Sequence, residues 1–268
     1  MPQPRISASS YSNTAPLIWS FLYGSQHGKY ELILDNAPAR SAELLARKRV
    51  DAALVPVIEY QRIEDVLLVP DVCIGARKKV RSVCLITKGE DLRDVKTVAL
   101  DVSSKTSVAL TKIIFREFLN FEPQYKSAKP NLDEMLKNSE CALLIGDPAL
   151  IIDETKFRKF DLAEVWNSFT GFGFVFAMWM ANAERAEIAR KIDFAAARDE
   201  GLNHIDEIIA NYRTEISLER EDFRKYLTEN ISYSIDEEMR KGLSLFFELA
   251  HKSGLSEKNK PLSFINNY

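Results

Sequence analysis

GFVFAMWM, Gly173 to Met180, is the stretch on which the fold turns. It is almost wholly apolar, rich in aromatic residues, and too short for a buried helix, so it reads as a strand covered on both faces. One other run matches it, VRSVCLIT, Val80 to Thr87. Residues 88 to 172 lie between the two and carry strand and helix patterns of their own. A lobe inserted into another lobe requires the chain to cross twice, and long strands are a natural way to cross. The reading is an α/β clamshell of two lobes joined by two crossing strands, with residues 1–86 and 178–268 in lobe I and 87–177 in lobe II. The alternative is that both runs are central strands of one sheet.

Outward from these runs, strand-like and helical patterns alternate. RISAS, YELILD, DAALVPV, TVALD and CALLIGD read as strands. Helices are expected at Pro16–Tyr23, ended by Gly24, and at Ser41–Arg49, Ser107–Leu119 and Asp161–Ser168. This alternation implies a mostly parallel sheet. After Ala181 the texture changes, and residues 183–253 read as all-helical. Within them SIDE, Ser234 to Glu237, has the form of a capping box. Gly254 is placed to close the last helix.

Three strand-to-helix junctions are unusually polar: Ser10-Tyr11-Ser12-Asn13-Thr14 before Pro16, SSKTS at Ser103 to Ser107, and Gly146-Asp147 before Pro148. Ligands of open α/β sheets bind beyond the carboxyl ends of the strands. Helix N-termini offer free N–H groups and a partial positive charge there, which favour anions. Taken singly, each junction reads as an ordinary N-cap. Two rich clusters, one in each lobe, point to a cleft for a small polar acid.

Composition narrows the class. A chain of 268 residues, 46% hydrophobic and 28% charged, suits two modest globular lobes. A net charge of −3 argues against nucleic acid as a partner. No window reaches the roughly 18 unbroken apolar residues of a membrane span. MPQPRISASS lacks the apolar core of a secretory signal, so a cytoplasmic location is expected. Cys73, Cys84 and Cys141 form no CxxC pair and are expected as buried thiols. His27, His204 and His251 are scattered, and neither GxGxxG nor a Walker loop occurs, so no metal and no cofactor is expected. Among other candidates, ARKKVRS reads as a solvated turn, with Arg81 as a possible aid in steering an anion. Glu59 reads as a base or an exposed helix residue. Trp166, Trp179 and FTGFGFVF read as core, with an aromatic lip over a ring ligand as the alternative.

SYSNTAPL, DAALVPVIEY, VRSVCL, SSKTSVAL, LLIGDPAL, DLAEVW and TGFGFVFAMW resemble, in order from residue 10 to about 180, the successive blocks of the chorismate dehydratase family. The resemblance implies a type II periplasmic-binding-protein-like fold used in the cytoplasm. It implies a hydro-lyase that converts chorismate to 3-[(1-carboxyvinyl)oxy]benzoate and water, opening the futalosine route to menaquinone. The family usually has arginine at Lys105 and Leu-Pro at Phe172-Gly173. Residues implied for catalysis are Asn13, positioning the leaving hydroxyl or the enolpyruvyl arm, and Ser82. Residues implied for substrate binding are Ser12, Thr14, Ser104, Thr106, Ser107, Gly146, Asp147, Phe172 and Gly173. The proton lost from chorismate is conjugated to the ring carboxylate, so charge builds there and preformed donors would stabilise it. Asp147, Glu59 or the substrate's own enolpyruvyl carboxylate takes that proton, the last being preferred. Two rivals are a non-catalytic solute-binding or sensor protein for a small carboxylate, and the sibling 1,4-dihydroxy-6-naphthoate synthase. The first loop of that sibling usually reads Cys-Pro-Asn-Asp-Thr, which this chain lacks.

Overall fold

In the computed structural model, which describes residues 3–36, 38–212 and 216–265, the chain forms two five-stranded sheets. The strands are β1 (Arg5–Ser9), β2 (Glu31–Asp35), β3 (Ala52–Pro56), β4 (Val66–Ala76), β5 (Val83–Thr87), β6 (Thr97–Asp101), β7 (Gln124–Ala128), β8 (Cys141–Ile145), β9 (Arg158–Asp161) and β10 (Phe174–Asn182). The helices are α1 (Ala15–Leu22), α2 (Pro38–Ala46), α3 (Glu59–Arg62), α4 (Lys105–Ile113), α5 (Leu132–Asn138), α6 (Asp147–Leu150), α7 (Leu162–Thr170), α8 (Ala186–Ala189), α9 (Phe194–Asn203), α10 (Ile205–Tyr212), α11 (Arg220–Lys225) and α12 (Glu237–Lys252).

The first sheet has the order β2-β1-β3-β10-β4 and the second β7-β6-β8-β5-β9. In the first, β1 is parallel to β2 and β3, while β10 is antiparallel to β3 and β4. In the second, β6 is parallel to β7 and β8, while β5 is antiparallel to β8 and β9. The sheets therefore share one plan, with β6, β7, β8, β9 and β5 in the places of β1, β2, β3, β4 and β10. Both are mixed: four strands of each run in one direction, as the alternation suggested, and one, β10 or β5, runs against them. The antiparallel member is in each case the first strand after the chain changes lobe.

That result corrects the role given to the two long apolar runs. Neither crosses between lobes. VRSVCLIT contributes β5, wholly inside the second sheet, and GFVFAMWM contributes β10, wholly inside the first. Their apolar character reflects central positions covered on both faces, where β5 is buried throughout and β10 nearly so. The changes of lobe are short irregular segments at 77–82 and 171–173. Limits at 86/87 and 177/178 fall inside β5 and β10, so we place the lobe boundaries at those two segments instead.

Trp166 and Trp179 belong to the core. Both are fully buried, and Trp166 meets Phe174 edge-on at 5.3 Å while Trp179 lies 4.6 Å from Phe194. The three cysteines are free and buried, and burial pushes the Cys141 thiol up to about 12. Among the described residues no helix is long and apolar enough to cross a membrane.

From residue 183 the described chain is mainly helical, with residues 213–215 outside the description. Its last helix, α12, packs against both β10 and α4 and so touches both lobes. It also presses on the second passage: a Cβ added at Gly242 would stand 2.2 Å from the Gly173 carbonyl oxygen. Gly254, at φ 66°, ends α12 with the bonds Gly254 N–H to His251 O (3.0 Å) and Leu255 N–H to Ala250 O (2.8 Å). The start of α12 differs from the expected capping box. Asp236, not Ser234, is the cap, accepting the Met239 N–H at 2.8 Å.

Candidate active site

The site is built at equivalent ends of the two sheets. β1 stops at Ser9, a single 3-10 turn spans Ser12–Thr14, and α1 begins at Ala15 with Pro16 in its first turn. In the matching place β6 stops at Asp101 and α4 begins at Lys105. The β8 end adds Gly146, whose φ of 68° and ψ of −152° lie in a region open essentially to glycine alone. A Cβ there would stand 2.8 Å from the Tyr11 ring, so the lobes touch through the absence of a side chain.

Between these ends lies a cavity of about 60 Å³. Ser9, Tyr11, Asn13 and Thr14 line it from the first sheet, and Ser104, Thr106, Ser107 and Gly146 from the second. Apolar strand residues, among them Leu54, Pro56, Ile74, Val83, Ile145 and Phe176, complete the wall. Such a space holds roughly two water molecules, so a ring-sized ligand enters only when the lobes part. Several contacts hold them together. The Ser12 hydroxyl and N–H both donate to Asp147, the N–H at 3.2 Å. The Ile58 N–H donates to Thr106 Oγ1 at 3.3 Å, and Lys105 Nζ stands 3.1 Å from Glu59.

Thus six of the residues implied from sequence come together on the lining: Asn13, Thr14, Ser104, Thr106, Ser107 and Gly146. The others lie elsewhere. Ser12 and Asp147 are spent on each other across the cleft. Ser82 is fully buried just behind the lining, its carbonyl accepting the Gly146 N–H at 2.7 Å. Phe172 and Gly173 sit in the second passage beneath α12, where a Cβ on Gly173 would meet Met239 at 2.7 Å. Lys105 points to Glu59 and not into the cavity. Glu59 is itself buried, paired also with Arg62 at 2.8 Å, and is not the exposed residue that was one of its readings. The Arg81 guanidinium is neutralised by two bonds to Asp222, of 2.9 and 2.7 Å.

Two lining residues were passed over. Ser9 ends β1 and shares a 3.1 Å hydrogen bond with Thr14. Tyr11 sat inside the quoted loop, and its position between capping-type residues was the available signal. Burial above all, then the Asp101 and Asp147 charges, pushes the Tyr11 phenol above its usual range, so it stays neutral. Among the described residues it is the single titratable side chain on the lining.

The α4 start is open, whereas at α1 the 3-10 turn already takes the Thr14 and Ala15 N–H groups, onto the Tyr11 and Ser12 carbonyls. Neither Thr14 at α1 nor Ser104 at α4 makes a side-chain bond to its own helix. At α4 the first intrahelical bond is Val108 N–H to Ser104 O, 2.9 Å. The N–H groups of Lys105, Thr106 and Ser107 precede it and have no place in the helical ladder. Together with the partial positive charge of the helix start, they suit a carboxylate.

Comparison with known proteins agrees with this architecture. Protein AF1704 from Archaeoglobus fulgidus superposes with a TM-score of 0.71 at 15% identity, covering 94% of this chain and 97% of that one. The periplasmic aliphatic sulphonate binding protein SsuA from Escherichia coli superposes with a TM-score of 0.65 at 15% identity, covering 97% and 90%. At such identities the likeness concerns the fold, which is that of periplasmic binding proteins. In sequence, a chorismate dehydratase from Thermus thermophilus is 31% identical over 235 residues, covering 81% of this chain and 85% of that protein. The family described by menaquinone biosynthesis matches residues 4–252. The chain belongs to the menaquinone biosynthesis family.

Proposed function

We propose that this protein is a chorismate dehydratase, a hydro-lyase that converts chorismate to 3-[(1-carboxyvinyl)oxy]benzoate and water in the cytoplasm. The observation that carries the reading is the character of the lining. Hydroxyls and an amide converge from both lobes on one cavity that has, among the described residues, no carboxylate, imidazole or amine on its wall. Chorismate is a dianion, and it brings the charge and the base that this wall lacks.

The chemistry follows from the donors. The C–H bond at the ether carbon is conjugated through a ring double bond to the ring carboxylate. Breaking it builds negative charge on that carboxylate. Donors already fixed in place lower the barrier, because they need not reorganise as the charge develops. The Ser104–Ser107 helix start is the proposed seat of one carboxylate and the Asn13–Thr14 turn of the other. Asp147 and Glu59 are both held in ion-pair or hydrogen-bond contacts off the lining. The enolpyruvyl carboxylate of the substrate is therefore the proposed base. The adjacent hydroxyl then leaves with a proton as water, the ring becomes aromatic, and that gain drives the step forward. Asn13 is the proposed group that positions the leaving hydroxyl or the enolpyruvyl arm. No metal or cofactor enters this scheme.

Incubation with chorismate tests the proposal. The diene absorbance should disappear, and the product mass should be lower by one water. Binding without conversion would assign the protein to the solute-binding class instead.

A further inference from the structure

Behind the lining, a buried phenol faces the site. Tyr226 opens a π-turn, Tyr226–Asn230, that continues α11. Its side chain is fully buried, and among the described residues its hydroxyl has no hydrogen bond of ordinary geometry. Orphaned buried hydroxyls are rare in folded proteins, and π-turns recur at functional sites. The side chains that face this hydroxyl are Ser82 and Asn13, with the Asp147 and Arg81 charges farther out. Ser82 Oγ otherwise has a 3.5 Å contact with Val80 O. Asn13 has one face on the cavity wall.

The surroundings fix Tyr226 where it is. Asp222, one turn earlier on α11, takes the Arg81 guanidinium in two bonds of 2.9 and 2.7 Å. Arg81 has φ 65°, and its N–H donates to Asp161 at 2.5 Å. The first passage between lobes is thus held from α7 and from α11 at once. Tyr226, Ser82 and Asn13 come from three separate parts of the chain and meet at the point where the lobes join.

We infer that Tyr226 is a positioning residue for the dehydration proposed above, acting through Asn13 and Ser82. A phenol both donates and accepts. Donating to the Asn13 oxygen turns the Asn13 NH₂ toward the cavity, and accepting from Ser82 fixes that hydroxyl. Tyr226 is absent from the lining and does not touch the substrate.

Tyr226→Phe removes a single oxygen and keeps the ring that fills the core. A positioning hydroxyl predicts a fall in kcat of about tenfold with KM little changed, because the misdirected donor matters most in the transition state. Tm should change little, since the ring that fills the core is kept and a single hydroxyl is lost. In an Asn13→Ala background the same change should cost nothing further. Wild-type kcat in Tyr226→Phe would overturn the inference. So would a kcat loss accompanied by a marked fall in Tm, or losses that multiply in the double variant. The inference rests on the chorismate reading, and the unaltered protein in the same assay separates the two. If it does not convert chorismate, that reading fails and takes this one with it.

Discussion

Where α5, α7, α9 and α12 begin, an Asn or Asp side chain takes up free N–H groups of the helix: Asn131, Asp161, Asp193 and Asp236 in turn. Where α1 and α4 begin, Thr14 and Ser104 are also capping residue types, yet neither bonds to its helix. The four capped starts contribute nothing to the cleft lining, whereas the starts of α1 and α4 do. The difference separates polar residues that stabilise the fold from polar residues left available to a ligand. It also shows why an N-cap motif in sequence is ambiguous. The residue types are the same, and only the direction of the side chain distinguishes them.

The comparison is broken most sharply at Asn13. Asn13→Ala should lower chorismate turnover by about 10²–10³-fold, the usual cost of losing one preorganised donor, with little change in Tm. On the capped side, Asp161→Ala should be the costliest for folding. One buried carboxylate accepts the Val80 N–H at 3.0 Å and the Arg81 N–H at 2.5 Å, and with its other oxygen the Ala163 and Glu164 N–H groups at 3.0 and 3.1 Å. Its removal should destabilise the protein by about 3 kcal/mol, read by denaturant unfolding.

A matched pair sharpens the contrast at smaller scale. Ser104→Ala should reduce kcat/KM by about tenfold and move stability by less than about 0.5 kcal/mol, because no cap is lost. Asp236→Ala should do the reverse, costing about 1 kcal/mol of stability and leaving turnover unchanged. Equal stability losses in the two variants would remove the distinction.

The smallest effect is a pH dependence at Asp101, the β6 residue just before the open α4 start. Its Oδ1 accepts from Ser103 N–H at 2.8 Å and Ser103 Oγ at 2.7 Å, while Oδ2 is buried without a partner among the described residues. Burial raises this carboxyl above its ordinary value of 3.8. The folded state therefore holds the proton more tightly than the unfolded chain does. The stability this group contributes is present below that value and declines as pH rises through the folded pKa. Asp101→Asn should flatten the slope in Tm against pH above 4, and an unchanged slope would place its origin elsewhere.

The two-lobed plan was legible because β5 and β10 are buried on both faces and carry no polar alternation to hide them. Their role was not, since burial alone does not distinguish a central strand from one that crosses between lobes. β4 was missed although it is the longest strand. Pro70 and Asp71 interrupt its apolar pattern, and the structure uses them as a bulge on an edge strand, where a missing N–H does no harm. β7 and β9 are polar edge strands without a hydrophobic run. At the site, Asn13, Thr14, Ser104, Thr106 and Ser107 were visible as clusters too rich for single caps. Tyr226 was not visible, because a tyrosine inside a helical pattern looks like core and its meeting with Ser82 depends on long-range folding.

Turnover of Asn13→Asp, measured beside its Tm, tests the central claim most directly. If the β1–α1 turn holds a carboxylate of a dianionic substrate, an added negative charge there should abolish measurable chorismate consumption while the protein stays folded. Near-wild-type turnover with an equal or higher Tm would show that Asn13 only supports the helix start, and the account of the cleft would be wrong.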